Sequence, residues 1–134
     1  MKKLMISALF VFTLAACDKK DSSDTVAPNE LSGNYVGTFH RTNMGTSQVM
    51  LSFINNSFSG SSSVEKYPAL CHGSFLLNSP NITFTDSCTW TADFDWTLIL
   101  NGTYNISFLD ERNVRIWRDN GTVTDEYLLH IPTR

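Results

Sequence analysis

The sequence predicts an all-β domain over residues 31–134, an antiparallel up-and-down meander of about eight strands. Three observations carry that reading. Apolar residues recur with period two from Tyr35 to Ile131, and no helical period persists beyond a turn or two. Turn chemistry recurs between the apolar runs, at Asn55-Asn56, Asn78-Ser79-Pro80-Asn81, Asn101-Gly102 and Asn120-Gly121. Serine, threonine, asparagine and aromatic residues are abundant while lysine, glutamate and alanine are sparse, the composition of strands and turns. Short hairpins in sequence order close equally well into a barrel or fold into a β-sandwich of about seven or eight strands, so periodicity leaves both open.

Two segments precede the domain. Residues 1–16 carry Lys2 and Lys3, an apolar run from Leu4 to Phe12 and then Leu14-Ala15-Ala16 before Cys17. A charged start, a short apolar core and small residues before a cleavage point describe a secretory signal peptide, and the run is too short for a membrane-spanning helix. Leu14-Ala15-Ala16-Cys17 resembles the lipobox of bacterial lipoproteins. The resemblance implies cleavage before Cys17, acylation of its sulfur and new amino group, and anchoring of the mature chain to a membrane of the bacterial cell envelope. More than one acyl chain makes such anchoring stable. An ordinary secretory signal with a free Cys17 is the alternative.

Residues 17–30 form the tether. Asp18 to Asn29 is nearly devoid of apolar residues and cannot repay the entropy of ordering. Cys17-Asp18-Lys19-Lys20-Asp21 resembles the charged export signal of Bacteroidetes-type surface lipoproteins, and Asp24-Thr25-Val26 resembles their O-glycosylation site, which makes Thr25 a candidate acceptor. Those resemblances imply an outer-membrane, surface-exposed protein. Asp18 also resembles an enterobacterial inner-membrane retention signal, and a plain soluble linker remains the alternative. Loss of Lys2 and Lys3 leaves eight basic residues against thirteen acidic, a net charge of about −5 that argues against nucleic acid as a partner.

Within the domain, Tyr35, Gly37 and Phe39 share one strand face, as do Val49, Leu51 and Phe53. A loop over Asn78–Asn81 sets Leu77 opposite Ile82, Phe75 opposite Phe84, Gly73 opposite Asp86 and Cys71 opposite Cys88. In an exported chain that register predicts a Cys71–Cys88 disulfide, worth about 3 kcal/mol for a loop of this length. The alternatives are a reactive thiol or a metal site of Cys71, His72 and Cys88. Strand alternation turns His72 away from Cys71, and zinc ligands are usually more closely paired, so no metal is predicted.

Trp90, Ala92, Phe94, Trp96 and Leu98 likewise share a face. A bulged hairpin with Gly102 in a left-handed conformation would set Leu98 against Tyr104, Trp96 against Ile106 and Phe94 against Phe108. Asp93 and Asp95 then fall on the opposite, solvated face, where they are the only close acidic pair that could serve acid–base chemistry or hold a hard cation. A two-residue turn at Asn120-Gly121 predicts an outer Arg115–Glu126 ion pair above an inner Val114–Tyr127 pair. An anion-binding cluster of Arg112, Arg115 and Arg118 is the other use of those charges. His40, His72 and His130 are scattered singly. No nucleophile elbow, phosphate loop, His-Glu-x-x-His or Cys-x-x-Cys is present. No cofactor and no catalytic residue is predicted.

Leu31-Ser32-Gly33-Asn34-Tyr35-Val36-Gly37 resembles the opening strand of lipocalin-like and avidin-like barrels, with Tyr35 where tryptophan is usual. The resemblance covers one strand. It implies a closed antiparallel barrel, favoured over the sandwich, whose interior or mouth holds a small ligand. Tyr35, Phe39, Trp90, Phe94 and Trp96 are the candidate ligand-binding residues.

Two functions follow: a membrane-anchored, non-catalytic lipoprotein that binds a small hydrophobic molecule or a glycan, or an interaction module that binds an envelope protein through its loops. An apolar cavity would favour the first, whereas a filled interior, or an exposed aromatic among the loop tips, would favour the second. The run Ser59-Gly60-Ser61-Ser62-Ser63 reads as one such polar tip.

Overall fold

The computed structural model describes residues 30–134. Its eight strands are β1 (Gly33–Arg41), β2 (Thr46–Ile54), β3 (Ser57–Ser62), β4 (His72–Asn78), β5 (Asn81–Asp86), β6 (Gly102–Phe108), β7 (Asn113–Asp119) and β8 (Thr124–His130). Each pairs antiparallel with the next, and β8 returns to β1, so the sheet is a closed barrel with no free edge. The sandwich is excluded.

Alternation determines what fills the closed barrel. One face of every strand supplies the interior, where Phe39, Phe53, Phe84 and Tyr127 are almost wholly buried. Their rings interlock: Phe39 lies 4.8 Å from Tyr127, Phe53 5.3 Å from Phe75, Phe84 5.7 Å from Tyr104 and Tyr104 6.2 Å from Tyr127. Aromatic rings at these separations fill the barrel with large, rigid groups and add edge-to-face attraction to the burial. Strand packing also needs Gly37, because a Cβ there would collide with the Leu128 carbonyl of β8.

Strand direction sorts the connections. The chain enters at the base beside Leu31, and the two-residue turns 55–56 and 79–80, the turn 109–112 and the C-terminal residues share that end. The opposite end, the mouth, carries the turns 42–45 and 120–123 and the two long connections, 63–71 and 87–101. Leu98, Ile99 and Leu100 of the latter are buried, and Ala69 pairs with Ile99 in a short parallel bridge. The long loops therefore lid the mouth.

The β4–β5 register is as the sequence predicts, from Gly73↔Asp86 to Leu77↔Ile82, and Cys71 is disulfide-bonded to Cys88 just beyond the ladder. Three expectations are corrected. Residues 90–98 form no strand: β6 pairs with β5 through Ile82↔Tyr104, and Trp96–Leu98 is a short 3-10 helix. Gly102 does take a positive φ of 92°, but at the entry to β6 rather than in a hairpin bulge. The Asp95 side chain accepts from the Thr97 N–H and caps that helix, a local bond that competes with extended pairing. The β7–β8 turn has four residues, so Ile116 faces Tyr127 and Val114 faces Leu129. A shift of two keeps the apolar face inward, and Arg115 still reaches Glu126 at 2.6 Å along the diagonal. Finally, Ser59–Ser62 belong to β3 rather than to a loop tip, with Gly60 opposite Leu51.

Candidate functional site

The mouth holds the barrel's main buried charges. Arg41 and Asp125 continue the inward faces of β1 and β8 beyond Phe39 and Tyr127, and they pair directly across the ladder. Both are nearly buried, at 6% and 4% exposed. Arg41 Nε donates to Asp125 Oδ1 at 2.5 Å and its Nη2 to Asp125 Oδ2 at 2.8 Å, a fork-to-fork arrangement. The remaining donors reach the loop: Nη1 to Asp95 Oδ2 at 3.0 Å and Thr97 Oγ1 at 2.9 Å, Nη2 to the Thr97 carbonyl at 3.0 Å. Arg118 stacks over Tyr104 and donates to the carbonyls of Asn101 and Thr97 and to Asp125. Among the described residues every buried side-chain polar atom is satisfied.

This network clamps residues 95–101 onto the barrel. Hydrogen bonds donated to Asp125 hold the Arg41 guanidinium charged and raise its pKa further. Bonds from Thr97, then the Arg41 charge, depress the Asp95 carboxyl. Burial raises the Tyr104 hydroxyl to about 12 and pushes Tyr127 well above its ordinary value, so neither is an acid or base near neutral pH.

Asp93 and Asp95 are consequently not a bare outer pair. Asp95 is committed to Thr97 and Arg41, and Asp93 accepts from Thr91 and from Lys66 Nζ at 3.1 Å. Lys66 also sits 5.1 Å above the Phe94 ring, tying the two long loops together. The candidate arginine cluster disperses: Arg112 lies at the base, Arg115 lies outside against Trp117, and Arg118 points to the mouth. His72 differs from expectation as well. It begins β4 opposite Ser59, one residue beyond the end of the β4–β5 ladder, and its imidazole curls back, Nδ1 lying 3.3 Å from Cys71 Sγ and 3.2 Å from Cys88 Sγ. These three donor atoms form a compact group, but the bonded sulfurs are not thiolate ligands.

The candidate ligand-binding residues separate into two sets. Tyr35 and Phe39 are packed in the interior, 5% and 1% exposed. Trp90, Phe94 and Trp96 ride on the 87–101 loop and reach the surface, Trp96 with 55% exposure. Phe94 lines an open groove of about 670 Å³ with Met44, Val64, Lys66, Tyr67 and Leu98. Trp90, whose ring lies 5.6 Å from Phe94, faces the other side of the loop with Trp96. Cys17 and Thr25 lie outside the described residues.

No protein-family model matches the chain, and neither the curated proteins nor the solved structures contain a match to it.

Sequence reasoning missed the Arg41–Asp125–Arg118 clamp. Its signal was present, since all three charges sit on inward-reading positions two residues from core aromatics or aliphatics. A charge on a core face requires a buried partner.

Proposed function

We propose that this chain is a lipid-anchored, non-catalytic interaction module of the bacterial cell envelope, which holds a protein partner on the loops at its mouth. The observation that carries this reading is the contrast between a barrel filled with aromatic rings and an open, largely apolar groove at the end opposite the chain's entry. A free small hydrophobic ligand would need most of its surface enclosed, which an open groove does not provide. A side chain presented by a second protein needs only one face buried. Half-exposed Met44 and Val64 on the groove rim suit such contact, methionine because it adapts to its partner. Exposed Trp96 among the loop tips supports the same reading. An anchor at Cys17 followed by residues 18–30 would place the base toward the membrane and the mouth outward.

A photo-crosslinking p-benzoylphenylalanine at Val64 or Leu76, in the full chain in its own cells, tests the site. A discrete protein adduct from position 64, lost on Met44→Asp and absent from position 76 at the base, is the expected result. Equal labelling from both positions refutes the reading, and stoichiometric capture of a free hydrophobic dye that Met44→Asp abolishes restores the small-ligand alternative. Cys17→Ala tests the anchor independently: the product is expected to leave the membrane with its melting temperature unchanged, and retention after carbonate washing refutes lipidation.

A further inference from the structure

Behind Phe94, the 87–101 loop walls a second cleft of about 470 Å³, bordered by Asp86, Thr89, Trp90, Trp96 and Asn101. That size is within the range of small-molecule sites. The indole N–H groups of both tryptophans are already occupied: Trp90 Nε1 donates to Asp86 Oδ2 at 2.7 Å, and Trp96 Nε1 to the Thr91 carbonyl at 2.8 Å. Each ring is thus held by its N–H edge, Trp90 also packing against Phe94 at 5.6 Å, and both rings border the cleft. Such pre-positioned rings lose little entropy on binding.

The polar groups around the rings retain hydrogen-bonding capacity. Asp86 uses Oδ2 for Trp90 and the Cys88 N–H, which leaves Oδ1 as an acceptor. Asn101 accepts the Asp86 N–H at Oδ1, which leaves its amide nitrogen as a donor. The Thr89 hydroxyl can serve as either.

We infer that the Trp90–Trp96 cleft is a carbohydrate subsite that takes a neutral pyranose unit. An aromatic face, negative at its centre, attracts the weakly positive C–H face of a sugar ring, while hydroxyls at the ring's rim require paired donors and acceptors. The cleft supplies both kinds of group side by side. A wholly apolar ligand would strip water from the Asp86 carboxylate without compensation. A quaternary ammonium ion would also be drawn to tryptophan faces and a carboxylate. It would, however, leave the Asn101 amide and Thr89 hydroxyl without use.

This site goes beyond the protein-binding groove, since it lies on the other side of the loop and shares no lining residue with it. The test titrates the full chain, held in a non-ionic polyoxyethylene detergent free of sugar and ammonium groups, with neutral tetrasaccharides of glucose, mannose and xylose. Trp117→Phe serves as the background for tryptophan fluorescence, because Trp117 lies outside the cleft against Arg115. At least one tetrasaccharide is expected to give a saturable change in that background, with saturation-transfer NMR contacts from ring C–H protons. Trp96→Ala and Asn101→Ala should each weaken binding by about tenfold or more, the loss of one good contact. Met44→Asp should leave it unchanged. Absence of any saturable response up to about 10 mM, a Kd corresponding to a negligible affinity, overturns the inference. Equal binding by the Trp96→Ala variant overturns it too, as does a response to tetramethylammonium alone.

Discussion

Replacing Asp125 with alanine removes the one carboxylate that faces both Arg41 and Arg118 inside the mouth. Three charge-assisted hydrogen bonds disappear, at 2.5, 2.8 and 3.3 Å. Each is worth about 1.5–3 kcal/mol in isolation, but they share one acceptor group and do not add. Stranding a buried charge costs about 3–5 kcal/mol in total. Arg41 keeps Asp95 and Thr97 as partners, so the lower end of that range, about 3 kcal/mol, is expected here. For a domain of this size the melting temperature should fall by on the order of 10 °C or more. Asp95→Ala is the matched comparison. That carboxylate touches the same guanidinium but is 54% exposed, and its loss should cost no more than about 1 kcal/mol. Urea denaturation followed by far-UV circular dichroism measures both. The double variant Arg41→Met/Asp125→Leu, which replaces the pair with apolar groups, should recover most of the loss. If Asp125→Ala costs less than Asp95→Ala, or the double variant is no more stable than Asp125→Ala, the mouth is not held by a buried ion pair.

The disulfide and the loop clamp give two further expectations. Cys71→Ser/Cys88→Ser should lower stability by about 3 kcal/mol, because the 17-residue separation restrains the unfolded chain, and intact-mass thiol labelling of the denatured wild type should find neither cysteine free; two labelled thiols would remove the bridge. The Asp95 carboxyl has a folded pKa below its unfolded value, so its contribution is fully present above about pH 4 and is lost as pH falls through the depressed folded pKa. The gap in melting temperature between wild type and Asp95→Asn should therefore close in that acid range, and a gap constant down to about pH 2 would contradict the assignment.

Sequence alone determined the all-β class, the inward face of most strands and the Cys71–Cys88 register, because side-chain alternation and short turns are local properties of the chain. It also placed Arg115 near Glu126 although the turn was two residues longer than expected, since a shift of two preserves the face. Periodicity left closure open, and the resemblance of Leu31–Gly37 to lipocalin-like barrels favoured it; the closure itself is β1 meeting β8, a contact between segments about ninety residues apart. Residues 90–98 show where periodicity misleads. Their alternation is genuine, yet β5 is satisfied by β6, and Asp95 finds Thr97 and Arg41 instead of a strand partner. What the candidate site became, three aromatics on a clamped loop rather than five in a cavity, depended on that one tertiary choice. Tyr35 and Phe39 carry the same sequence signal as Phe94, but the closed barrel buries the first two, whereas Phe94 rides on a loop outside the barrel, against Lys66 and Trp90. Strand pairing drew that distinction, and pairing partners dozens of residues apart become visible only when the strands are side by side.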